Sequence, residues 1–418
     1  MTKIIDLLKD RVSKNKDLIA DFFTKKFQEN EALFYNSVDL RHSGFKIAPV
    51  DTNCFPAGFN NVNGLAFQDS RVAASNFLKG KIKNSSSPKI MIIPENHTRN
   101  IRYYENIYVL QNIISTNSNN VILGTMIEDI VGQQKILLEN NNELILNQIE
   151  REGDYIKTKN GFIPDLIILN NDLTSGYPEI FKNLKIPIYP SPDLGWFKRA
   201  KSTHFSIYSN LAEEFSSLID IDPWLISSIH GVCNNVDFKN HLGLECLAKE
   251  VDKTILKLKE KYRQHKISEN PYCYVKADNG TYGMAIMLAF SGQDILDINK
   301  KERNKMNSVK ESTHTSSVLI QEGIKTVDQI NKMSAEPMIY IINGTVVGNL
   351  FRANENKDQQ SNLNSAGMHF FDLKKIDESQ KIYLGGDTET LELVYSVIAR
   401  LAALASSYEL KKYQNDKM

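Results

Sequence analysis

The sequence predicts an α/β (α+β) protein of two domains, the first of them a doubly wound α/β domain. Three observations carry that reading. Short apolar runs such as Lys89-Ile-Met-Ile-Ile-Pro94 alternate with segments of helical spacing, the pattern of buried parallel strands joined by helices. At 418 residues the chain exceeds what one hydrophobic core serves, so more than one unit is expected. Beyond Pro271 the pattern changes to strands and tight turns, which sets a second unit apart.

Taken in order, residues 4–34 carry Ile5, Leu8, Val12, Ile19, Phe22 and Phe27 near one stripe and predict a helix. Residues 39–63 read as a polar, glycine-punctuated region. Strands are expected at 89–94, 120–126, 165–169 and 186–189, with a helix at 101–115. The polar segments 95–100 and 170–172 follow strands, and the carboxyl ends of strands are where ligands sit in doubly wound sheets. This first domain is expected to span residues 1–190 and the second 191–418. In the second, Leu247, Val251, Ile255, Leu258 and Tyr262 recur at three and four, marking an amphipathic helix with a basic, solvated outer face. Strands follow at 272–275 and 318–321, then a hairpin turning at Asn343-Gly344 between 338–342 and 345–351. An apolar helix over 391–408 closes the pattern.

Composition excludes some functions. Fifty basic residues balance fifty acidic ones at a pI near 7.1, so no polyanion field draws the chain to nucleic acid or to an acidic membrane. Met1 to Asp10 carries charges without an apolar h-region, and no run of eighteen apolar residues is seen, so a cytoplasmic protein without a membrane partner is expected. The oligomeric state is not legible. Cys54, Cys233, Cys246 and Cys273 lack CxxC spacing and read as reduced thiols.

The first chemical signal is Tyr274-Val-Lys-Ala-Asp-Asn-Gly-Thr-Tyr-Gly283, which runs from a strand into a glycine-bearing loop. Glycines let backbone N–H groups wrap phosphate oxygens, and a lysine adds a point charge, so Lys276, Gly280, Thr281 and Gly283 are candidate ATP ligands. The segment is not a Walker A motif, whose lysine follows its glycines. An ordinary hairpin with an exposed lysine is the competing reading. Downstream, Val318-Leu-Ile-Gln-Glu-Gly is a strand ending in an acid, the kind that presents backbone to adenine and a carboxylate to ribose; Gln321 and Glu322 join the ATP set.

After it come Ala335-Glu-Pro-Met-Ile-Tyr-Ile-Ile-Asn-Gly-Thr-Val-Val-Gly-Asn-Leu-Phe-Arg352 and Ser361-Asn-Leu-Asn-Ser-Ala-Gly367. This order resembles the ATP-grasp ligases, in which an acid begins a hairpin strand, an arginine ends its partner and an Asn-Leu segment follows. The resemblance implies an ATP-grasp-like second domain with ATP and Mg2+ as cofactors. It makes Glu336 a magnesium ligand, places Asn362 beside the metal, and gives Arg352 and Lys276 the charge on the transferring phosphoryl group. The superfamily's terminal Glu-x-Asn is missing, and Asn364 is the substitute ligand. Of Lys198, Arg199 and Lys201, the last is chosen for ATP, since Lys-Ser-x-x-Phe resembles a lysine-bearing helix start in related ligases.

The block Ser37-Val-Asp-Leu-Arg-His-Ser-Gly-Phe-Lys-Ile-Ala-Pro-Val-Asp-Thr-Asn53, with Asn60 and Asn61 beyond it, crowds Asp39, Arg41, Lys46, Asp51, Asn53, Asn60 and Asn61 into one region. A zwitterionic amino acid needs such a mixture: cations for its carboxylates, acids and amide oxygens for its ammonium. Glu95 and Arg99, in Pro-Glu-Asn-His-Thr-Arg-Asn100, extend the substrate set. Taken singly, each residue is as well explained as a loop-capping group.

The strings Val-Asp-Leu-Arg-x-Ser-Gly-Phe-Lys, Pro-Glu-Asn-His-Thr-Arg-Asn, Val-Lys-Ala-Asp-x-Gly-Thr-Tyr-Gly-Met and Asn-Leu-Asn-Ser-Ala-Gly-Met resemble a proteobacterial family of glutamate-cysteine ligases over nearly the whole chain. That resemblance implies ATP-dependent joining of the glutamate γ-carboxylate to cysteine, through an acyl phosphate, as the first step of glutathione synthesis. Asp39, Asp51, Glu95 and His97 all remain open as acceptors of the amine proton. The alternatives are another ATP-grasp ligase such as a glutathione synthetase, or a non-catalytic nucleotide-binding regulator.

Overall fold

The computed structural model describes residues 3–83, 85–96, 100–279, 286–307, 317–376 and 382–416, without the side chains of Lys305 and Ile382. The expected first helix is two, α1 (Ile4–Lys14) and α2 (Lys16–Glu29). The break falls at Asn15, whose side-chain amide donates to the Arg11 carbonyl at 2.8 Å and so closes the first helix.

The region read as polar loop forms an antiparallel pair, β1 (Tyr35–His42) and β2 (Ile47–Asn53). Helix α3 (Gly64–Lys81) leads into strands β3 (Lys89–Pro94), β4 (Asn120–Thr125), β5 (Gln133–Leu137), β6 (Glu143–Glu152), β7 (Tyr155–Thr158), β8 (Leu166–Asn170) and β9 (Ile188–Tyr189), with α4 (Ile101–Ile114) after β3. These make a sheet of order β5-β6-β4-β3-β8-β9, parallel from β6 to β9, with β5 and β7 antiparallel on β6. The winding is one-sided: α3 and α4 cover Ile90, Ile92 and Ile168, whereas Met91, Ile93 and Leu169 are covered by Leu173, Phe181, Leu194 and Tyr413.

Helix α5 (Lys201–Ile219) follows, then strand β10 (His230–Asn234), helix α6 (Leu244–Gln264) and strands β11 (Cys273–Ala277), β12 (Ile286–Ala289) and β13 (Ser317–Glu322). The four strands pair antiparallel in the order β10-β13-β11-β12, and α6 lays Leu247, Val251, Ile255 and Leu258 on Cys233, Val275 and Ile320. Short helices α7 (Gly292–Leu296) and α8 (Lys300–Asn307) lie between β12 and β13.

Strands β14 (Gln329–Ile330), β15 (Met333–Ile342), β16 (Thr345–Asn354), β17 (Met368–Asp372) and β18 (Ile382–Tyr383) precede the closing helix α9 (Thr388–Asn415). They build the central sheet, of order β17-β16-β15-β1-β2. Its pairing corrects the domain division expected at residue 190, because β1 pairs along β15 from Tyr35↔Ile342 to Asp39↔Met338. The first strands of the chain therefore belong to the same sheet as its last ones.

One face of this sheet, with Val38, Leu40, Ile339, Ile341, Phe351 and Ala353, packs on α1, α5 and α9. Helix α9 is long and apolar enough to cross a membrane, a feature the search for eighteen-residue runs missed, yet its apolar window is 78% buried inside the protein. Leu401 and Leu404, both 0% exposed, contribute about 1.5–3 kcal/mol each by burial. A helix apolar all round is then a core element rather than an amphipathic one.

Candidate active site

Strand alternation fixes what the opposite face of the central sheet presents. Asp39 and Arg41 on β1, Glu336 and Met338 on β15, and Arg352 on β16 all point to that side, with Glu336 directly across from Arg352 and Asp39 across from Met338. Arg352 donates from Nε (3.0 Å) and Nη2 (2.5 Å) to Oε1 of Glu336, and Nη2 reaches Oδ2 of Asp39 at 2.6 Å. Arg41 Nε meets the other Glu336 oxygen at 2.5 Å. Its Nη1 and Nη2 donate to the carbonyls of Gln359 (2.9 Å) and Ser361 (2.6 Å), which ties down the loop after β16.

Two carboxylates and two guanidinium groups leave this cluster neutral. Burial would raise Glu336, but Arg41 and Arg352 outweigh it and hold the carboxyl below its ordinary range. At Asp39 burial wins over Arg352, and Glu336 and Asp51 add to it, so its pKa is raised.

Asp51 stands opposite Asp39 on β2 and begins a second cluster. Lys201 Nζ lies 2.8 Å from Asp51 Oδ1 and 4.2 Å from the centroid of Trp196. Lys276, on β11, donates to Gln321 Oε1 at 2.6 Å and to the Val50 carbonyl at 3.3 Å. Asp278 brings the two lysines together: its carboxylate accepts from the backbone N–H and the hydroxyl of Ser202, each at 2.7 Å, and its carbonyl accepts from Lys201 N–H at 2.9 Å. The start of α5 is thereby tied to the end of β11. Desolvation would raise Asp51, but Lys201 and Lys276 hold it far below the carboxylate range. Burial pushes Lys276 down to about 8, with Asp51 opposing and Lys201 adding to the shift. Asp51 is the one carboxylate set against these two ammonium groups, the Asp278 carboxylate being taken up by the Ser202 and Ser317 hydroxyls.

Behind the second cluster, buried Arg199 grips buried Glu409 of α9 at 2.9 and 3.1 Å, while its Nη1 donates to the Thr52 carbonyl at 2.6 Å. His204 Nδ1 lies 3.1 Å from the same carboxylate. The backbone beside Asp51 is thus pinned to α9. The sequence reading missed Glu409, which follows the last residue of the apolar helix expected over 391–408. It also missed Asp278, two residues beyond Lys276.

Several expected ligands lie elsewhere. Lys46 and Glu322 are each 0% exposed and 2.7 Å apart, with Lys46 Nζ 4.0 Å from the Trp224 centroid. The other Glu322 oxygen accepts from Trp224 Nε1 (3.1 Å) and Ile229 N–H (2.9 Å). Both groups are spent on an interior ion pair, which corrects the assignment of Lys46 to substrate and of Glu322 to ribose. Asn53 Oδ1 accepts from Phe55 N–H at 2.9 Å, Asn61 Nδ2 donates to the Gly58 carbonyl at 3.1 Å, and Asn60 is exposed, so these amides shape the turn after β2. Asn362 accepts from Asn364 N–H at 3.0 Å in a turn that leaves Asn364 exposed.

Glu95 ends β3, where its N–H donates to the Tyr103 hydroxyl at 2.8 Å. Asn170, at the end of β8, donates to Tyr35 Oη and the Pro56 carbonyl, both at 2.9 Å, which fastens the carboxyl edge of the parallel sheet beside β1. Arg99, Gly280, Thr281 and Gly283, with His97, lie outside the described residues. Among the described residues no group of three or more His, Cys, Asp or Glu is arranged to hold a metal ion.

Paired arginines beside paired lysines are the chemistry of a ligase-type enzyme site, guanidinium groups suiting carboxylates and ammonium groups suiting phosphates. The family model of glutamate-cysteine ligase (GshA) matches residues 9–410, and the chain belongs to that family. Its members join glutamate to cysteine at the expense of ATP, and the alternative of a glutathione synthetase is not favoured. A crystal structure from Methylobacillus flagellatus KT, provisionally designated a gamma-glutamylcysteine synthetase, is similar at 36% identity and a TM-score of 0.88, over 98% of this chain and 96% of that one. A glutathione synthetase-like effector from Globodera pallida (TM-score 0.40, 9% identity, 84% and 76% covered) and D-alanyl-alanine synthetase A from Vibrio cholerae O1 biovar eltor (0.37, 12%, 75% and 80%) are too remote to support any conclusion. No curated protein matches.

Proposed function

We propose that the arginine cluster around Glu336 receives glutamate, that the lysine cluster around Asp51 receives the phosphates of ATP, and that the reaction runs across β1 and β2 between them. The observation that carries this reading is the contrast of charge on facing strands: Asp39 and Asp51 are register partners, yet one sits in a balanced network and the other under two lysines. Lys276 and Lys201 bind and orient the triphosphate as point charges, and Arg41 and Arg352, forked on Glu336 and Asp39 in the free protein, exchange part of those contacts for the carboxylates of glutamate. Phosphoryl transfer relies on such positioning and charge neutralisation.

The γ-carboxylate of glutamate attacks the terminal phosphorus and ADP leaves, which turns a poor acyl group into a reactive acyl phosphate. The amine of cysteine then attacks the acyl carbon and phosphate leaves. An amine with a pKa of about 8 must shed a proton first. Asp39 takes it, because its raised pKa makes it the stronger base, whereas Asp51 is held as an unreactive anion by its lysines. Magnesium fits here without a protein cage, since it is held by one or two carboxylates plus substrate phosphates. Glu336 would hold it through Oε2, which has a lone pair beyond the one given to Arg41 whereas Oε1 accepts twice from Arg352, and the ion would neutralise phosphoryl charge. Asn362 and Asn364, expected from the sequence beside the metal, are the amides proposed to complete its shell.

The test supplies ATP, Mg2+ and glutamate with a panel of amine acceptors and identifies both products. One ADP and one phosphate per γ-glutamylcysteine, dependent on cysteine, supports the reading. AMP and pyrophosphate would refute the acyl phosphate.

A further inference from the structure

At the end of the central sheet remote from Glu336, the Asn343-Gly344 turn packs on α2, where Gly344 at φ +71° lies against Phe27. Between this turn, α2, α3 and α9 is a cavity of about 350 Å3, lined by Phe23, Phe27, Phe77, Asn76, Lys81 and Arg400 among others. Arg400 reaches it from α9. Its Nε donates to the Gly344 carbonyl at 3.2 Å, and its guanidinium carbon lies 4.1 Å from the Phe23 centroid.

Unlike the three buried arginines of the charged clusters, Arg400 has no acid. Arg41, Arg199 and Arg352 each hold a carboxylate at 2.5 to 2.9 Å, whereas among the described residues no carboxylate lies within ion-pair distance of Arg400. Desolvation without a compensating anion lowers its pKa. The neighbouring Lys81 is already bonded to Glu31, so that pair contributes no net charge and the wall as a whole is +1. A half-buried cation costs free energy unless an anion answers it. The structural duties of Arg400, the turn carbonyl and the Phe23 face, occupy Nε and one face of the ion. They leave the bidentate fork of Nη1 and Nη2 without an acceptor among the described residues.

We propose that this cavity is a second ligand site, which takes a small organic carboxylate: its charged end forked on Arg400, its apolar part against the partly exposed ring of Phe27. Aromatic walls and one guanidinium suit a monoanion with a flat or aliphatic body. The site stands apart from the charged clusters and does not depend on the roles assigned to them.

The probe is 4-bromobenzoate, with uncharged 4-bromobenzamide as its control, titrated calorimetrically into the full chain with ATP and glutamate present to occupy the charged clusters. Saturable benzoate binding with a Kd on the order of 1 mM is expected, with the amide at least about tenfold weaker. Arg400→Gln abolishes the binding while turnover persists. Should that variant fold poorly, Asn76→Trp at the exposed rim fills the mouth and gives the same loss. In soaked crystals the bromine signal falls beside Phe27. Equal binding of the amide, binding indifferent to both variants, or bromine on the Asp39–Arg352 face would each overturn the proposal.

Discussion

The two charged clusters on the central sheet face one another across a single strand pair, yet they are built on opposite principles. Around Glu336 every charge is answered: two guanidinium groups and two carboxylates, all buried or nearly so, in forked contacts of 2.5 to 3.0 Å. Around Asp51 one carboxylate faces two lysines, and its side chain is 44% exposed. A saturated network holds shape and resists change. An unsaturated one waits for an anion, and its lysine, pushed down to about 8, shows what the wait costs.

The contrast can be broken by substitution. The largest effect is expected at Arg352→Ala, which strands Glu336 and Asp39 in the interior. It should cost about 3–5 kcal/mol in denaturant unfolding, and turnover should fall by about 10²–10³. Arg352→Lys should rescue little, since a point charge cannot fork two acids. Lys276→Ala should behave in the opposite manner: stability within about 1 kcal/mol of the parent but turnover down about 100-fold. Equal destabilisation by the two variants would erase the distinction between the clusters.

A milder effect comes from pH. ATP binds the protonated form of Lys276, whose free-enzyme pKa is about 8. Below that value the lysine is already charged and the apparent ATP affinity should be flat. Above it each binding event must take up a proton, and affinity should fall by up to about tenfold per pH unit. Lys276→Arg should abolish the break. The smallest effect on turnover is expected at the interior pair: Lys46→Met should destabilise by about 3–5 kcal/mol and the double variant with Glu322→Gln should recover much of it. Neither should change the KM for ATP. A raised KM would return Glu322 to the nucleotide site.

Much of the fold was legible because it is local. The strand at 89–94 and the helix near 101–114 fall where apolar runs and helical spacing put them, and Asn343-Gly344 does turn a hairpin. The pair β1 and β2 was read as loop because its alternate positions carry Asp39, Arg41 and Asp51, which are site residues and polar for that reason. The alternation was nevertheless there, with Val38 and Leu40 facing the core. Pairing of β1 with β15 joins segments some three hundred residues apart, and no local pattern encodes such a register, so the domain division was misplaced.

The site shows the same split. Asp39, Arg41, Asp51, Lys201, Lys276, Gln321, Glu336 and Arg352 come together in two neighbouring clusters. Lys46 lies close to them in sequence but projects into the core, where Glu322 meets it. Sequence proximity cannot distinguish the two sides of a sheet without the register. The amides at 53, 60 and 61 were grouped with the charges by density alone, whereas Asn53 and Asn61 bond within a turn and Asn60 is exposed.

The most direct test of the account is to follow oxygen. Glutamate labelled with oxygen-18 in its γ-carboxylate, turned over with ATP, Mg2+ and cysteine, should pass one labelled oxygen to each phosphate released, because the carboxylate itself attacks phosphorus between the two clusters. Phosphate free of label would contradict direct attack, and with it the placement of glutamate beside Arg352 and of the triphosphate beside Lys276.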